Sequence, residues 1–390
     1  MTVSATTEVS ADLLERVREV LASQGAPPTP ARVAMALRSQ GLVHGDAEVL
    51  AVVDALRRDT VGAGPLEPLL RLPGVTDVLV NGPRHVYLDR GEGLEPAPVS
   101  FLDDASVRRL AQRLASAGGR RLDDATPFVD VRLGDGTRFH AVLSPVARPG
   151  TCLSLRVPSQ QAFALDELVA AGTLSSSSAA LLGDIVAAEV AFLISGGTGA
   201  GKTTLLSALL SRVNPVHRLV LVEDSGELRP DHAHVVSLEA RPPNVEGAGA
   251  ITLRDLVRQA LRMRPDRLVV GEVRGAEVTD LLAALNTGHQ GGCGTIHANS
   301  AADVPARLEA LGVAAGLSRQ AVHSQLASAL QVVLHLRRDQ GGVRRLSEIC
   351  VLARDSTGFV TAEPAVRFAA DGSSQAGPGA QGLELLLGGR

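Results

Sequence analysis

Apolar positions along the chain change their period twice, and these changes divide the chain into three regions. Up to about residue 58, apolar residues recur every three or four positions, as Val17 and Leu21 do, which predicts a small module of amphipathic helices. Between about residues 62 and 157, short apolar runs separated by turn residues predict an α+β domain. From about residue 179, strand-like apolar runs alternate with helical patterns, which indicates a parallel sheet with crossover helices.

The first region is predicted to hold three helices and no catalytic group. These helices begin near Ser10, Pro30 and Asp46, and Gly25 ends the first of them. We therefore expect residues 1–58 to form a packing or docking module.

The second region, residues 59–158, is predicted to form a smaller α+β domain. Strands are expected at residues 75–80, 85–88, 128–133, 138–143 and 152–157, with a helix at residues 105–117. It carries a set of arginines: Arg120, Arg121, Arg132, Arg138 and Arg156. Arg132 and Arg138 flank a tight turn at residues 134–136, so a hairpin would bring them close together. The local sequence leaves two interpretations open, solvated surface charge or a clamp on phosphates.

The third region is predicted to hold a linker, a large α/β domain and a tail. The linker is expected at residues 159–178, the domain at residues 179–358, and the tail at residues 359–390 with disorder from about residue 371. Strands are expected at residues 190–194, 219–223, 234–238, 268–272, 294–297, 332–336 and 346–351. Helices are expected at residues 202–213, 252–263, 276–286, 302–312 and 318–329.

A glycine-rich loop after the strand at residues 190–194 carries the clearest chemistry in the sequence. It fits the phosphate-loop pattern G-x-x-x-x-G-K-[ST], and its candidate nucleotide-binding residues are Gly196, Gly197, Thr198, Gly199, Ala200, Gly201, Lys202, Thr203 and Thr204. The glycines let backbone N–H groups converge on an anion, and the following helix adds its positive end. Lys202 can reach the terminal phosphates of ATP, and the Thr203 hydroxyl can bind Mg²⁺.

Lysine usage strengthens this interpretation. Lys202 is the only lysine among the 38 lysine and arginine residues, and every other one is arginine. A slim ammonium group is retained where it must slide along a phosphate chain. The alternative, a glycine-rich turn between core elements, does not account for this lysine.

Three later strands are predicted to end in polar residues beside the loop, because parallel strands bind ligands beyond their carboxyl ends. Glu223 could orient or deprotonate an attacking water, although a cap or turn residue is the plainer alternative. Glu272 could hold Mg²⁺ or its water, so Thr203 and Glu272 are the candidate metal ligands. His297 could contact the γ-phosphate of ATP, but an isolated histidine is as often structural.

Composition restricts the classes of function further. Net charge is −4 and aromatic residues make up 2% of the chain, which does not favour a nucleic-acid partner. The three cysteines are far apart and form no disulfide framework or zinc motif. Neither a signal peptide nor an apolar run of membrane-spanning length is present in the sequence, so we expect a cytoplasmic protein.

Several motifs together resemble those of the type II and type IV secretion and pilus-assembly ATPases, and most closely the tight-adherence (Flp) pilus branch. They are LVRQALRMRPDRLVVGEVRG at residues 256–275, RPPNVEG at 241–247, NTGHQGGCGTIHANS at 286–300, PLEPLLRLPGVTDVLVNGP at 65–83 and PFVDVRLGDGTRF at 127–139. The resemblance covers about residues 60–355. It implies an α/β fold in which a RecA-like P-loop ATPase domain follows the smaller α+β domain and the helical module.

The resemblance also implies roles and partners. Glu223 would fall in the acidic box, Glu272 in the Walker B element, and His289 and His297 in the histidine box. The arginines brought to the nucleotide from the preceding domain would be Arg132, Arg138 and Arg156. A homohexamer that binds ATP and Mg²⁺ and works with an inner-membrane platform protein at the cytoplasmic face of the membrane would be expected. Gln290 departs from the family, which usually has an acidic residue after His289.

Other classes compete with this interpretation. A GTPase is disfavoured because its guanine-binding Asn-Lys-x-Asp motif needs a second lysine. A conjugative DNA-transfer motor of the same fold remains open, and DNA-stimulated hydrolysis would support it. A scaffold that binds ATP without hydrolysing it is disfavoured by the presence of Lys202, Thr203 and both acidic residues.

Overall fold

The computed structural model describes residues 16–17, 20–21, 30–39, 49, 52–53, 62–91, 93–158, 163–243, 247–288, 290–339 and 342–388. The chain divides into two compact units, Met1–Pro158 and Ser159–Arg390. Of the predicted N-terminal helices, the second is α1, Pro30–Ser39. The other two fall mostly outside the described residues, although Val17, Leu21, Val33, Leu37 and Val53 share one small apolar cluster.

The first unit is built on a six-stranded antiparallel sheet. Its strand order is β3-β2-β1-β6-β5-β4, with β1 Asp77–Asn81, β2 Val86–Asp89, β3 Leu94–Pro96, β4 Phe128–Arg132, β5 Arg138–Val142 and β6 Cys152–Arg156. A short α2, Glu67–Leu70, precedes β1, and α3, Asp104–Ala117, crosses between β3 and β4. Helix α3 begins where the side chain of Asp103 accepts a hydrogen bond from the backbone N–H of Ser106. Its apolar face packs with the inward residues of the sheet, Phe139 among them.

The second unit is built on a nine-stranded mixed sheet. Its strand order is β15-β14-β13-β12-β7-β11-β10-β8-β9. Six strands from β12 to β9 in that order are parallel: β7 Phe192–Gly196, β8 Leu219–Glu223, β9 Val235–Glu239, β10 Arg267–Val273, β11 Cys293–His297 and β12 Val332–Arg338. The remaining three are antiparallel: β13 Arg344–Arg354, β14 Val360–Phe368 and β15 Ser374–Ala376.

Helices cover both faces of this sheet, as expected for an α/β fold. They are α4 Leu165–Ala170, α5 Ser176–Ala187, α6 Lys202–Leu210, α7 Leu253–Ala260, α8 Glu277–Leu285, α9 Val304–Ala314, α10 Arg319–Ala329 and α11 Ala380–Gly388. Alternate residues of β7 enter the two cores: Phe192 and Ile194 pack on the side of α6, whereas Leu193 packs on the side of α7 and α8. Strand β7 is therefore buried on both faces, and this burial holds in place the start of the loop that follows it.

The end of the chain differs from the predicted disordered tail. The sheet continues past residue 358 with β14 and β15, and α11 follows with Leu383 buried in the core. Two glycines make this packing possible, because a Cβ on Gly377 would stand 2.2 Å from the carbonyl oxygen of Pro364 and one on Gly379 would stand 2.7 Å from that of Glu363. The glycines that indicated disorder therefore serve close backbone contact.

The segment predicted as a linker is also folded in its described part. Leu165 and Leu168 on α4, and Leu174 after it, are buried in the core of the second unit. Within the described ranges, no helix is both long enough and apolar enough to cross a membrane.

Candidate functional site

The glycine-rich loop occupies the turn between β7 and α6. Strand β7 ends at Gly196, and α6 begins at Lys202 after Gly201, whose φ is 92°. Gly196 has a φ of 152°, and a Cβ there would stand 2.5 Å from the carbonyl oxygen of Leu336 on β12. Only glycine fits that position, because both the positive φ and the nearby carbonyl oxygen exclude a side chain. The chain turns here and leads to the N-terminus of α6, the end of a helix that favours anions.

Lys202 lies across the inside of this loop. Its Nζ donates hydrogen bonds to the carbonyl oxygens of Gly196 at 3.0 Å and Gly197 at 2.9 Å. Burial lowers the pKa of Lys202, while the negative charges of Glu272 and Glu227 oppose that fall. The ammonium group is thus held where the loop would surround an anion.

The strand register brings the predicted polar residues to the same edge of the sheet. His297 is paired with Gly196 across β11 and β7, so it lies directly beside the start of the loop. Glu223 ends β8, and Glu272 lies near the end of β10, the strand paired with β8. The charge of Glu272 acts on Lys202, which links this carboxylate to the loop.

Glu223 is the most unusual of these groups because the residue is almost fully buried, with 3% exposure. Its Oε1 accepts hydrogen bonds from the backbone N–H groups of Glu227 at 2.8 Å and Leu228 at 2.9 Å. Its Oε2 is buried and has no hydrogen-bond partner among the described residues. A Cβ on Gly271 would stand 2.8 Å from Glu223 Cγ, so the residue before Glu272 must be small. Burial raises the pKa of Glu223 to about 7, although the two N–H groups oppose the rise.

This raised pKa predicts a pH-dependent stability. Charging Glu223 costs more in the folded protein than in the unfolded chain, so its contribution to stability is fully present below its ordinary pKa of 4.5 and is lost as pH rises through about 7. Between pH 5 and pH 8 we expect wild type to lose up to about 3 kcal/mol of unfolding free energy relative to Glu223→Gln, which has no charge to acquire. Urea unfolding followed by circular dichroism at both pH values measures this. If the unfolding free energies of wild type and Glu223→Gln change with pH by the same amount, this prediction is wrong.

Two residues that the sequence did not single out shape the segment after β10. Glu277, at the start of α8, is buried, and its Oε1 accepts hydrogen bonds from the backbone N–H groups of Arg274 and Gly275, each at 2.7 Å. Arg274 also forms an ion pair with Asp224, the residue after Glu223. Burial raises the pKa of Asp224, and Arg274 opposes that rise. The sequence did contain a signal for this contact, because Glu277 follows Gly275 by two residues at the start of a predicted helix.

In the first unit, the three arginines of the predicted clamp lie in one row. Strand pairing places Arg132 opposite Arg138, and Arg138 opposite Arg156, on three adjacent strands. Residues directly opposite share a face of the sheet, and this is the face turned away from the unit's core. Two carboxylates accompany the row. Asp130 pairs with Arg138 at 2.6 Å, and Asp77 pairs with Arg156 at 3.0 Å.

These ion pairs leave most of the row accessible. Arg138 holds Asp130 through both Nε and Nη2, and this contact lowers the pKa of Asp130. The side chains of Arg138 and Arg156 nevertheless remain 53% and 64% exposed. An anion bound at this row would therefore compete with Asp130 for Arg138 and with Asp77 for Arg156.

The donor set at the loop fits Mg²⁺ carried on phosphates better than a metal held by protein alone. Thr203 and Thr204 lie in the first turn of α6. Mg²⁺ is usually held by one or two protein oxygens together with phosphates and water, and the two predicted ligands, the Thr203 hydroxyl and the Glu272 carboxylate, would match that number. Where the structure describes side chains, no group of three or more His, Cys, Asp or Glu residues could hold a metal ion. His289, predicted in the histidine box, lies outside the described residues.

A buried parallel strand, a glycine loop with its lysine and a helix N-terminus together define a phosphate-loop nucleotide-binding protein. The family model of type II/IV secretion system proteins matches residues 59–382, and the chain belongs to that family. A Mycobacterium tuberculosis protein named for conjugal transfer is 60% identical over 324 residues, which cover 82% of this chain and 92% of that protein.

A second relative agrees with this family, and a solved structure agrees with the fold. The type IV secretion system protein PtlH of Bordetella pertussis is 31% identical over 313 residues, covering 73% of this chain and 92% of PtlH. Among solved structures, the pilus retraction motor PilT with bound ADP aligns with a TM-score of 0.50 at 18% identity, covering 81% of this chain and 83% of PilT. At that identity the likeness concerns the fold alone.

Proposed function

We propose that this protein is an ATPase that drives a type II or type IV secretion-class machine. One observation carries the proposal: the loop with Lys202 lies in the same unit as three strand ends that present Glu223, Glu272 and His297. Membership of the secretion family supports the biological context.

The residues divide the work of hydrolysis between them. Loop N–H groups and Lys202 bind the phosphates of ATP. Thr203 and Glu272 would hold Mg²⁺, which would neutralise phosphate charge. A water oxygen attacks the γ-phosphorus, the bond to the β–γ bridging oxygen breaks, and a carboxylate accepts the proton released by the water. Glu223 suits this last role because its pKa lies near neutral pH and its Oε2 lacks a protein partner in the described residues. His297 lies beside Gly196, where it would contact the γ-phosphate of bound ATP.

Two more specific functions differ in the substrate of the machine, which is either pilus subunits or DNA. The motif resemblance favours assembly of a tight-adherence pilus, whereas the name of the 60% identical relative favours conjugal DNA transfer. The net charge of −4 and the scarcity of aromatic residues support the pilus or secretion function. In either case we propose a homohexamer recruited to the cytoplasmic face of the inner membrane by a platform protein.

Phosphate release from ATP, with and without Mg²⁺ and with and without DNA, tests the proposal. We expect hydrolysis that requires Mg²⁺ and changes less than twofold when single- or double-stranded DNA is added. No hydrolysis with Mg²⁺ would refute the ATPase proposal, and stimulation of hydrolysis by DNA would favour conjugal DNA transfer instead.

Light scattering in the presence of ATP tests the proposed hexamer. A monomeric mass would count against it. Fractionation of cells that lack the platform protein tests the proposed recruitment. The ATPase should then leave the membrane fraction, and its retention there would contradict the proposal.

A further inference from the structure

The hairpin formed by β12 and β13 places two arginines against the phosphate loop. Strand β12 pairs in parallel with β7, with Leu336 opposite Gly196, so β12 runs two residues beyond the point where β7 gives way to the loop. Arg338 is the second of these residues, and Arg344 is paired with it on β13.

The pleat of the sheet determines which way these side chains face. Leu336 and its partner Leu346 belong to the core on the side of α6. Two residues further along each strand, Arg338 and Arg344 occupy the same face. Both arginines are exposed. The α6 side of the hairpin therefore changes from apolar at Leu336 to cationic at Arg338, beside the start of the phosphate loop.

Direct contacts agree with this placement. Arg344 donates a hydrogen bond from Nε to the carbonyl oxygen of Gly199 at 3.0 Å. A Cβ on Gly199 would stand 3.4 Å from Nη1 of Arg338, and a Cβ on Gly201 would stand 3.4 Å from Cδ of Arg344. Two guanidinium-bearing side chains therefore line the loop at its third and fourth glycines.

The charges of this pair are not balanced by carboxylates. Within the described part of the chain, neither Arg338 nor Arg344 forms an ion pair with an acidic side chain, whereas the neighbouring Arg345 pairs with Asp339 at 2.7 Å. Like charges placed directly opposite in a sheet destabilise it. An anion bound between them would relieve that repulsion, and the loop beside them is built for phosphate.

We propose that Arg338 and Arg344 extend the phosphate site and hold the phosphate chain of the bound nucleotide from the hairpin side of the loop. This inference rests on the proposed nucleotide binding. Both arginines act within the unit that carries the loop, and they act on ADP as well as ATP. They set nucleotide affinity, because their contacts exist before the bond to the γ-phosphorus breaks.

Binding of a fluorescent ADP analogue to the full-length protein tests the proposal. Arg338→Ala and Arg344→Ala should each weaken ADP affinity about tenfold or more, since each removes a charge-assisted hydrogen bond. Competition by adenosine, which has no phosphate, should be unaffected. Arg345→Ala is the matched control, because it removes an arginine of the same hairpin whose charge is already paired with Asp339. Its ADP affinity should stay within about twofold of wild type.

A further variant separates phosphate binding from support of the loop. Arg344→Lys keeps the positive charge but cannot donate the Nε hydrogen bond to Gly199. It should therefore retain most of the ADP affinity that Arg344→Ala loses. Equal loss in both variants would mean that Arg344 only positions the loop, and would overturn the proposal for that residue. Wild-type ADP affinity in both alanine variants would overturn it entirely. A wild-type protein that binds no ADP would instead refute the proposed function itself.

Discussion

Glu272→Gln should lower ATP turnover by about 10²-fold or more while leaving ATP binding nearly intact. The amide keeps the shape of the carboxylate but loses the charge that would hold Mg²⁺ or its water. Lys202→Ala should act differently and weaken nucleotide binding, because the ammonium inside the loop belongs to the binding site itself. Steady-state turnover and ATP binding measured on both variants separate these effects.

Glu384→Gln is the matched control for this experiment. Glu384 lies exposed on α11 in the same unit, so its turnover should equal that of wild type. If Glu272→Gln hydrolyses ATP as fast as Glu384→Gln, the role proposed for Glu272 is wrong.

Arg138→Ala and Arg132→Ala should lower turnover by about 10³-fold, with much smaller effects on ATP affinity. An arginine that neutralises charge developing on the transferring phosphoryl group stabilises the transition state more than the ground state. We propose that the row formed with Arg156 on one face of the first unit supplies such a group. This predicted pattern is the opposite of that expected for Arg338 and Arg344, which should change affinity more than turnover.

The same assay on Arg90→Ala provides the comparison. Arg90 lies just after β2 and pairs with Glu95 at 3.1 Å, so its loss should change little. All variants should be checked by light scattering for an unchanged assembly mass. Turnover of Arg132→Ala and Arg138→Ala within a few-fold of Arg90→Ala would exclude the clamp.

Strong local patterns were sufficient to predict most of the fold and the loop. Strand β8 was predicted with the bounds it has in the structure, because four consecutive apolar residues end in a charged one. Strand β3 was missed because all three of its residues are exposed and lack alternation. Strand β14 was missed because it contains Pro364, which the sheet accommodates next to a register shift opposite Cys350.

The hairpin arginines could not have been predicted from local sequence. Nothing near Arg338 or Arg344 indicates a phosphate, and their position depends on parallel pairing between β12 and β7, which lie about 140 residues apart. The burial of Glu223 was equally hidden, since it depends on Gly271 of a neighbouring strand. Contacts that depend on register between distant strands require the folded structure.

The single lysine has a consequence for chemical labelling. The arginines carry guanidinium groups, which do not react with amine-directed acylating reagents under mild conditions, and the 10 histidines carry imidazoles, so the ε-amine of Lys202 is the only side-chain amine in this sequence. Its lowered pKa leaves more of it unprotonated and hence nucleophilic near neutral pH than an ordinary lysine. Apart from the α-amino group, an amine-reactive reagent therefore reports directly on the interior of the phosphate loop. The extent of labelling becomes a measure of how often that loop is filled.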